Sequence, residues 1–221
     1  MEFQLRDVHY QYTGRHHTVH AVRGVTATFE TGKLSVIMGK SGSGKTTLLS
    51  MLAGLLLPTS GSILLDSTAM ENMDRNRLRR ERISVIYQDF NLFPLLTVEE
   101  NAAYSLIIQG RSKAQALELA RQKLQSVDIS PSQYPRLPAT LSGGEQQRVA
   151  IARTLAAGSE IVLADEPTGN LDQENSRNIV RILQRLAHEE NRCVILVTHD
   201  PVVAEAADVV FHMQDGAWAP S

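Results

Sequence analysis

The stretch GKSGSGKT (Gly39–Thr46) combines glycines, a lysine and a hydroxyl side chain at a spacing that suits a phosphate group. It follows the apolar run LSVIM (Leu34–Met38) and precedes a helical pattern, which is the context that a phosphate-binding loop requires. Its glycines would let backbone N–H groups face phosphate oxygens, Lys45 would reach the β and γ phosphates, and the Thr46 hydroxyl would bind Mg²⁺. A glycine-rich turn without a ligand is the plainer alternative. The stretch predicts binding of a nucleoside triphosphate.

Two adjacent carboxylates, Asp165 and Glu166, follow the apolar run EIVLA. Successive side chains of a strand point in opposite directions, so the two groups can serve different tasks. Asp165 is predicted to hold the water shell of Mg²⁺, and Glu166 to orient and deprotonate the attacking water. Taken alone, such a pair is more often a solvated strand end. After a phosphate-binding loop it predicts phosphoryl transfer to water.

Two further polar residues follow apolar runs that should end at the same sheet edge. His199 comes after CVILV (Cys193–Val197), where an imidazole could contact a γ-phosphate. Gln88 comes after ISVIY, where its amide could cap a turn, or accept from the water while offering an oxygen to Mg²⁺. The plainer interpretation of His199 is a polar residue whose hydrogen bonds are made within the protein, without a ligand. Asp200 before Pro201 predicts a helix cap.

A second candidate anion site lies in LSGGEQQRVAIAR (Leu141–Arg153), which has two glycines where a helix should begin. A helix start without bulky side chains exposes free N–H groups and the positive end of the helix dipole. Why one small domain would need two phosphate sites is not explained by this stretch alone.

The elements that must position these residues alternate between apolar runs and helical patterns, which predicts an α/β fold with a mostly parallel sheet flanked by helices. The predicted strands are Leu34–Met38, Ser62–Asp66, Ile83–Tyr87, Glu160–Asp165 and Cys193–Val197, with another in the alternating N-terminus. Between about 89 and 157 helices dominate, at Thr97–Gln109 and Ser112–Val127, the second opening with a Ser-x-x-Gln capping box. We therefore expect a single domain, with a core at about 1–88 and 158–221 and an inserted helical lobe.

Bulk composition restricts the partners. The 22 basic and 24 acidic residues nearly cancel, so no overall field favours nucleic acid, and we expect no nucleic-acid partner. Cys193 lies in an apolar run and indicates a buried thiol in a reducing compartment. No apolar run approaches the ~20 residues of a membrane-spanning helix, and the N-terminus does not resemble a signal peptide. A cytoplasmic protein is expected.

Taken together, these motifs resemble the ATP-binding subunit of ATP-binding cassette (ABC) transporters, from about Leu5 to Gly216. LSGGEQQ is the most diagnostic element, because other phosphate-binding-loop families lack this signature. The order also matches: GKSGSGKT, Gln88, LSGGEQQ, IVLADE, NLD (Asn170–Asp172) and His199. The resemblance implies a P-loop NTPase core with an N-terminal antiparallel β part and an inserted helical lobe.

The resemblance also implies roles for individual residues. Tyr12 would stack on adenine, Gln88 would sense the metal and a membrane partner, and His199 would act as the γ-phosphate switch. The implied ATP contacts are Tyr12, Gly39, Lys40, Ser41, Gly42, Ser43, Gly44, Lys45, Thr46, Thr47, Ser142, Gly143, Gly144, Gln146 and Asp172. The implied catalytic residues are Glu166, His199, Lys45 and Gln88, and the implied Mg²⁺ ligands are Thr46, Gln88 and Asp165. Tyr10 shares a strand face with Tyr12, so that choice rests on the family's spacing.

Within the family, VIYQDFNLFPLLTVEENA and LADEPTGNLD are most similar to the ATPase subunits of lipoprotein-releasing, macrolide-export and cell-division complexes. That similarity implies a peripheral position at the cytoplasmic face of the membrane and a separately encoded integral membrane permease. It also implies a homodimer or pseudo-dimer in which each ATP lies between one phosphate loop and the other copy's Ser142-Gly143-Gly144. Two departures from the family pattern are Lys40 and the absence of an acidic residue before LSGG.

Three other functions share some of these motifs. A regulator whose ATP-driven dimerisation signals through a membrane partner, without transport, has the same motifs. A soluble ABC ATPase of DNA repair or translation usually needs a coiled-coil insertion or two cassettes, which 221 residues do not accommodate. A nucleotide kinase leaves LSGGEQQ and the Asp165-Glu166 pair unexplained. The contacts to the transported substrate are expected to belong to the membrane subunit.

Overall fold

The central sheet contains four of the predicted apolar runs, which form parallel strands. The computed structural model describes residues 2–14 and 17–219. The strand order is β10-β9-β3-β8-β7-β6, in which all neighbours pair parallel except β10 with β9. The strands are β3 (Leu34–Met38), β6 (Ile83–Ile86), β7 (Ile161–Asp165), β8 (Cys193–Thr198), β9 (Val209–Gln214) and β10 (Ala217–Trp218).

A second sheet is antiparallel and includes the N-terminal strand. Its order is β2-β1-β4-β5, with β1 (Glu2–Thr13), β2 (Thr18–Glu30), β4 (Ser60–Leu65) and β5 (Thr68–Ala69). The predicted strand Ser62–Asp66 is therefore β4 of this sheet, where it pairs with β1. It ends at Leu65, because Asp66 has a positive φ of 49° and begins the turn to β5.

Helices connect the parallel strands, as a parallel pair requires a crossover. They are α1 (Lys45–Leu52), α2 (Arg75–Glu81), α3 (Val98–Ile108), α4 (Lys113–Gln125), α5 (Gly143–Ala157), α6 (Gln173–His188) and α7 (Pro201–Ala204). Helices α3, α4 and α5 pack on one another. The division into a core and a helical lobe at about 89–157 stays a prediction. None of the helices in the described part of the chain is long and apolar enough to span a bilayer.

The capping box predicted at Ser112 forms only in part. The Ser112 hydroxyl accepts from the Gln115 N–H at 3.4 Å, but the Gln115 side chain accepts from that hydroxyl instead of the Ser112 backbone. Complete boxes form at Thr97 with Glu100 and at Ser142 with Glu145. In both, the third helical residue is a glutamate, whose charge also suits the positive end of the helix dipole.

Alternate residues of the parallel strands enter two different apolar clusters. Val36 and Val162 pack with residues of α3 to α6, whereas Ile37 and Leu163 pack with α1 and with the antiparallel sheet. Both faces of the parallel sheet are therefore buried, which explains the uninterrupted apolar runs. The α/β prediction, with a mostly parallel sheet and an N-terminal antiparallel part, is confirmed.

Candidate functional site

The loop Gly39–Thr46, termed the phosphate loop, turns sharply between β3 and α1. Gly44 caps α1 with a φ of 104°, and a Cβ there would overlap the carbonyl oxygen of Ala21. Only glycine therefore fits this position. The first turn of α1 contains no acidic residue, so its free N–H groups and positive dipole end favour an anion.

Lys45 brings a buried positive charge to this loop, since it is only 6% exposed. Its ammonium group donates to the carbonyl oxygens of Gly39 at 2.6 Å and Lys40 at 3.0 Å. The same nitrogen lies 3.8 Å from Oε1 of Glu166. The lysine is thus held at the bottom of the cleft, where it can meet both phosphate oxygens and the predicted base.

Asp165 and Thr46 supply oxygen atoms beside the phosphate loop. The Thr46 hydroxyl donates to Oδ1 of Asp165 at 3.3 Å. Burial raises the pKa of Asp165 and the charge of Glu166 raises it further, while the Thr46 bond and Lys45 oppose the shift. One carboxylate, one hydroxyl and phosphate oxygens form a hard donor set that fits Mg²⁺. The described residues contain no group of three or more His, Cys, Asp or Glu that could hold a metal alone.

Gln88 lies two residues beyond the end of β6, on the same cleft. Its side-chain Nε2 is 3.5 Å from Oδ1 of Asn170, and its carbonyl oxygen accepts from Nδ2 of Asn170 at 3.2 Å. The NLD loop therefore holds Gln88 through Asn170. Asn170 was not among the predicted site residues.

Glu166 is the most firmly held side chain of the site. Its Oε2 accepts from the Thr198 hydroxyl at 3.0 Å and from the His199 N–H at 3.3 Å, and its Oε1 lies 3.0 Å from Nδ1 of His199. Its backbone has a positive φ of 44°, which is strained for a residue with a side chain. Thr198, fully buried, was missed in the sequence because a threonine inside a β-strand is unremarkable.

Tyr12 stands at the mouth of the cleft, 47% exposed, with its hydroxyl 3.3 Å from Oγ1 of Thr47. Tyr10 meets the Tyr12 ring edge to face at 4.9 Å but packs against the apolar core and does not line the cleft. The cleft encloses about 600 Å³. The predicted residues that line it are Tyr12, Ser41, Gly42, Ser43, Gly44, Lys45, Thr46, Thr47, Gln88, Asp165, Glu166 and His199. Gly39 and Lys40 line a neighbouring groove, beside Phe211 and Trp218.

The remaining predicted ATP contacts lie outside this cleft. They are Ser142, Gly143, Gly144, Gln146 and Asp172. At the start of α5, the Ser142 hydroxyl accepts from the Glu145 N–H at 3.3 Å, and Oε2 of Glu145 accepts from the Ser142 N–H at 2.7 Å. That second bond lowers the pKa of Glu145. The N–H groups of the two glycines have no intrahelical partner, so they remain for a ligand.

Gly144 also has a packing role that the sequence did not reveal. A Cβ at this position would lie 2.7 Å from Oδ1 of Asn175, an atom that accepts from Nη1 of Arg148 at 2.9 Å. Asp172 caps α6 and accepts both the N–H and the Nδ2 of Asn175, at 2.9 Å and 2.7 Å. Asn175 therefore ties α5 to the NLD loop within one chain.

The loop between Gln88 and α3 is held by two side chains that the sequence analysis missed. Arg153 of α5 donates to the carbonyl oxygens of Phe90 and Asn91, at 3.1 Å and 2.7 Å. Both of those residues have positive φ. Asn101 of α3, fully buried, bonds to the backbone of this loop at Phe93, Leu96 and Thr97. A lone asparagine on the apolar side of a predicted helix was the available signal.

Comparison with known proteins places these motifs in one family. The family model described as ABC transporter matches residues 22–169. The chain is 37% identical over 215 residues to the uncharacterized ABC transporter ATP-binding protein YclH of Bacillus subtilis, covering 97% of this chain and 94% of YclH. It is 37% identical over 219 residues to the lipoprotein-releasing system ATP-binding protein LolD of Acinetobacter baylyi, covering 97% and 96%.

A solved structure gives the same result. The dimeric structure of MJ0796, described as a bacterial ABC transporter cassette, matches with a TM-score of 0.91 and 35% identity, covering 99% of this chain and 97% of that chain. The same cassette is known in a post-hydrolysis state bound to ADP and Pi. The predicted family, fold and ATPase activity are therefore confirmed: this chain belongs to the ABC transporter family and is an ATP-hydrolysing cassette.

Proposed function

We propose that two copies of this chain close head to tail around two ATP molecules and power a separate membrane permease. The proposal rests mainly on one observation: within a single chain, the start of α5 at Ser142–Gly144 does not line the cleft. Each half has groups suited to phosphate, yet they do not line one pocket. A second copy would bring its α5 start to the open side of the cleft, and the similar MJ0796 cassette is described as dimeric.

In the proposed reaction, Glu166 orients a water molecule and accepts its proton as the water oxygen bonds to the γ-phosphorus. The bond from that phosphorus to the ADP oxygen breaks, which gives ADP and phosphate. Lys45 and the N–H groups of the phosphate loop stabilise the charge that develops on the phosphate oxygens. The contact from Oε1 to Nδ1 of His199 and the Thr198 bond to Oε2 hold the base in place.

Mg²⁺ fits the donor set of this site, with Thr46 as a ligand, Gln88 contributing its amide oxygen and Asp165 holding the metal's water shell. When bound, it would neutralise phosphate charge and help align the reacting groups. Tyr12 would stack on the adenine ring at the mouth of the cleft. These assignments are supported by the position of all four side chains along one cleft.

The loop after Gln88 is the surface we assign to the membrane partner. Leu95 is 88% exposed and Phe93 is 38% exposed, although both are large apolar residues. The bonds from Asn101 fix the shape of this loop, so that its apolar side chains stay exposed at the surface instead of packing against the protein. Similarity to the lipoprotein-releasing system ATP-binding protein LolD supports release or export as the type of work, with this chain positioned at the cytoplasmic face of the membrane.

Glu166→Gln and Lys45→Ala test the catalytic assignment. Loss of the general base should lower ATP turnover by about 10²- to 10⁴-fold while ATP binding persists. Lys45→Ala should lose ATP binding itself. Glu160→Gln is a matched control, because Glu160 lies at the opposite end of the same strand and pairs with Arg82. Phosphate release and equilibrium binding of labelled ATP are the measurements. Near-normal turnover of Glu166→Gln would contradict the role of Glu166, and normal binding by Lys45→Ala would remove Lys45 from the site.

A further inference from the structure

Gln147 is a fully buried polar side chain that the proposed reaction does not use. It lies in the second turn of α5, one turn after Gly143, and is 0% exposed. Its Nε2 donates to the carbonyl oxygen of Pro167 at 2.8 Å, while its Oε1 has no hydrogen-bond partner among the described residues. A buried amide with one unpaired oxygen is destabilising, so an apolar side chain would fit this position better on stability alone.

The bonded carbonyl belongs to the residue directly after Glu166. A non-glycine residue at positive φ persists only when its surroundings fix it. The Glu166 N–H donates to the Val197 carbonyl at 3.0 Å, and the Gly169 N–H donates to the Glu166 carbonyl at 3.0 Å. The Gln147 bond restrains the next peptide from the side of α5. The turn that aims the Glu166 carboxylate is therefore held by the sheet on one side and by α5 on the other.

From this geometry we infer that Gln147 is a positioning residue for Glu166 of the same chain. This inference rests on the proposed role of Glu166. Helix α5 also begins with the groups that we assign to the ATP of the other copy. The Gln147–Pro167 bond consequently links the start of α5, which serves one ATP, to the base that acts on the other ATP.

Gln147→Met removes the donor and the unpaired oxygen while keeping nearly the same shape. We expect kcat to fall at least about tenfold, because small misplacement of a catalytic group is costly. The KM for ATP should stay within about twofold of the wild type. Gln184→Met is the matched control, since Gln184 of α6 also donates a side-chain hydrogen bond, to the Ala206 carbonyl oxygen at 2.9 Å. This control variant should leave kcat unchanged. An unchanged kcat in Gln147→Met, or a rise in KM that accounts for the whole loss, would overturn the inference.

Mixed dimers, isolated through two different affinity tags, separate positioning of the base from a direct effect on the other copy's ATP. One copy carries Glu166→Gln, so only the other copy's base can act. Gln147→Met on the copy with the intact base should abolish most of the remaining single-turnover phosphate release. The same change on the Glu166→Gln copy should leave that release intact. Equal loss in both arrangements, or the reverse pattern, would refute the inference.

Two further outcomes keep the test conclusive. If Glu166→Gln alone retains turnover, the proposed catalytic role fails, and that failure is distinct from a failure of the Gln147 inference. If Gln147→Met does not fold, as judged by its thermal unfolding, Gln147→Leu is measured in the same mixed dimers. Leucine is apolar and donates no hydrogen bond to Pro167, so it should show the same dependence on the copy that carries it.

Discussion

Asp165 and Glu166 are neighbours in the chain but occupy different surroundings. Asp165 contacts Thr46 of the phosphate loop, whereas Glu166 contacts Thr198 and His199 at the end of β8. Strand alternation and the positive φ of Glu166 separate the two carboxylates. This difference is consistent with one group serving the metal and the other serving the water, which stays our proposal.

Asp165→Asn should stabilise the protein in the absence of metal and nucleotide. Burial raises the folded-state pKa of Asp165 above its ordinary value of 3.8, so the folded state binds the proton more tightly than the unfolded state. The wild type therefore loses stability as pH rises from the ordinary value through the raised pKa, and Asn removes that loss. Thermal unfolding should show a higher Tm for Asp165→Asn at pH 7 and a shrinking difference towards pH 4.

The same variant should lose about 10- to 100-fold in ATP hydrolysis, as expected when a residue that orders a metal's water shell is removed. Phosphate release at saturating Mg²⁺ and ATP measures this loss. A Tm at pH 7 equal to or below that of the wild type would show that ionised Asp165 is not destabilising in the folded protein.

At the residue scale, the sequence predicted the residues that line the cleft better than the residues that hold them in place. Lys45, Thr46 and Asp165 belong to short motifs whose neighbours in the chain define their chemistry. Thr198 contacts Glu166 and Gln147 contacts Pro167, and both of these bonds join residues that are remote in the sequence. Nothing in their local patterns distinguishes them from ordinary strand and helix residues.

At the element scale, periodicity predicted the strands but not always their partners. The strand at Ser62–Asp66 had the same apolar character as the parallel strands, yet it pairs with β1 in the antiparallel sheet. Its partner is fixed by the alternating buried face of β1, including Phe3 and Leu5. Such long-range pairing is not visible in either segment alone.

Asn101→Ala should show how strongly α3 holds the loop after Gln88. It removes the acceptor of the Phe93 N–H and the donor to the Leu96 carbonyl oxygen at a fully buried position, whereas the carbonyl oxygens of Phe93 and Thr97 keep backbone donors. We expect the free energy of unfolding to fall by about 2 kcal/mol, since buried polar groups would lose their bonds. Urea denaturation of Asn101→Ala and of Asn178→Ala, a partly exposed asparagine of α6, provides the comparison. Equal stability of the two variants would contradict the proposed role of Asn101 in holding this loop.

At the scale of the whole molecule, we propose that the start of α5 and the phosphate loop of one chain serve different nucleotides. The order of motifs along the chain predicted the family, and similarity to YclH and LolD confirmed it. Only the fold shows that the start of α5 does not line the cleft. Within one chain, α5 is connected to the NLD loop through the Asn175 contacts and to the Glu166 turn through the Gln147–Pro167 bond.

The central claim is that ATP joins two copies, and the size of the Glu166→Gln protein in solution tests it most directly. With ATP and Mg²⁺, size-exclusion chromatography with light scattering should show a dimer, because slow hydrolysis preserves the ligand that stabilises the closed form. With ADP the protein should be monomeric. Adding Ser142→Arg, which places bulk at the α5 start, should prevent the dimer while ATP binding to the monomer persists. A Glu166→Gln protein that stays monomeric at saturating ATP, or a double variant that still dimerises, would contradict the account.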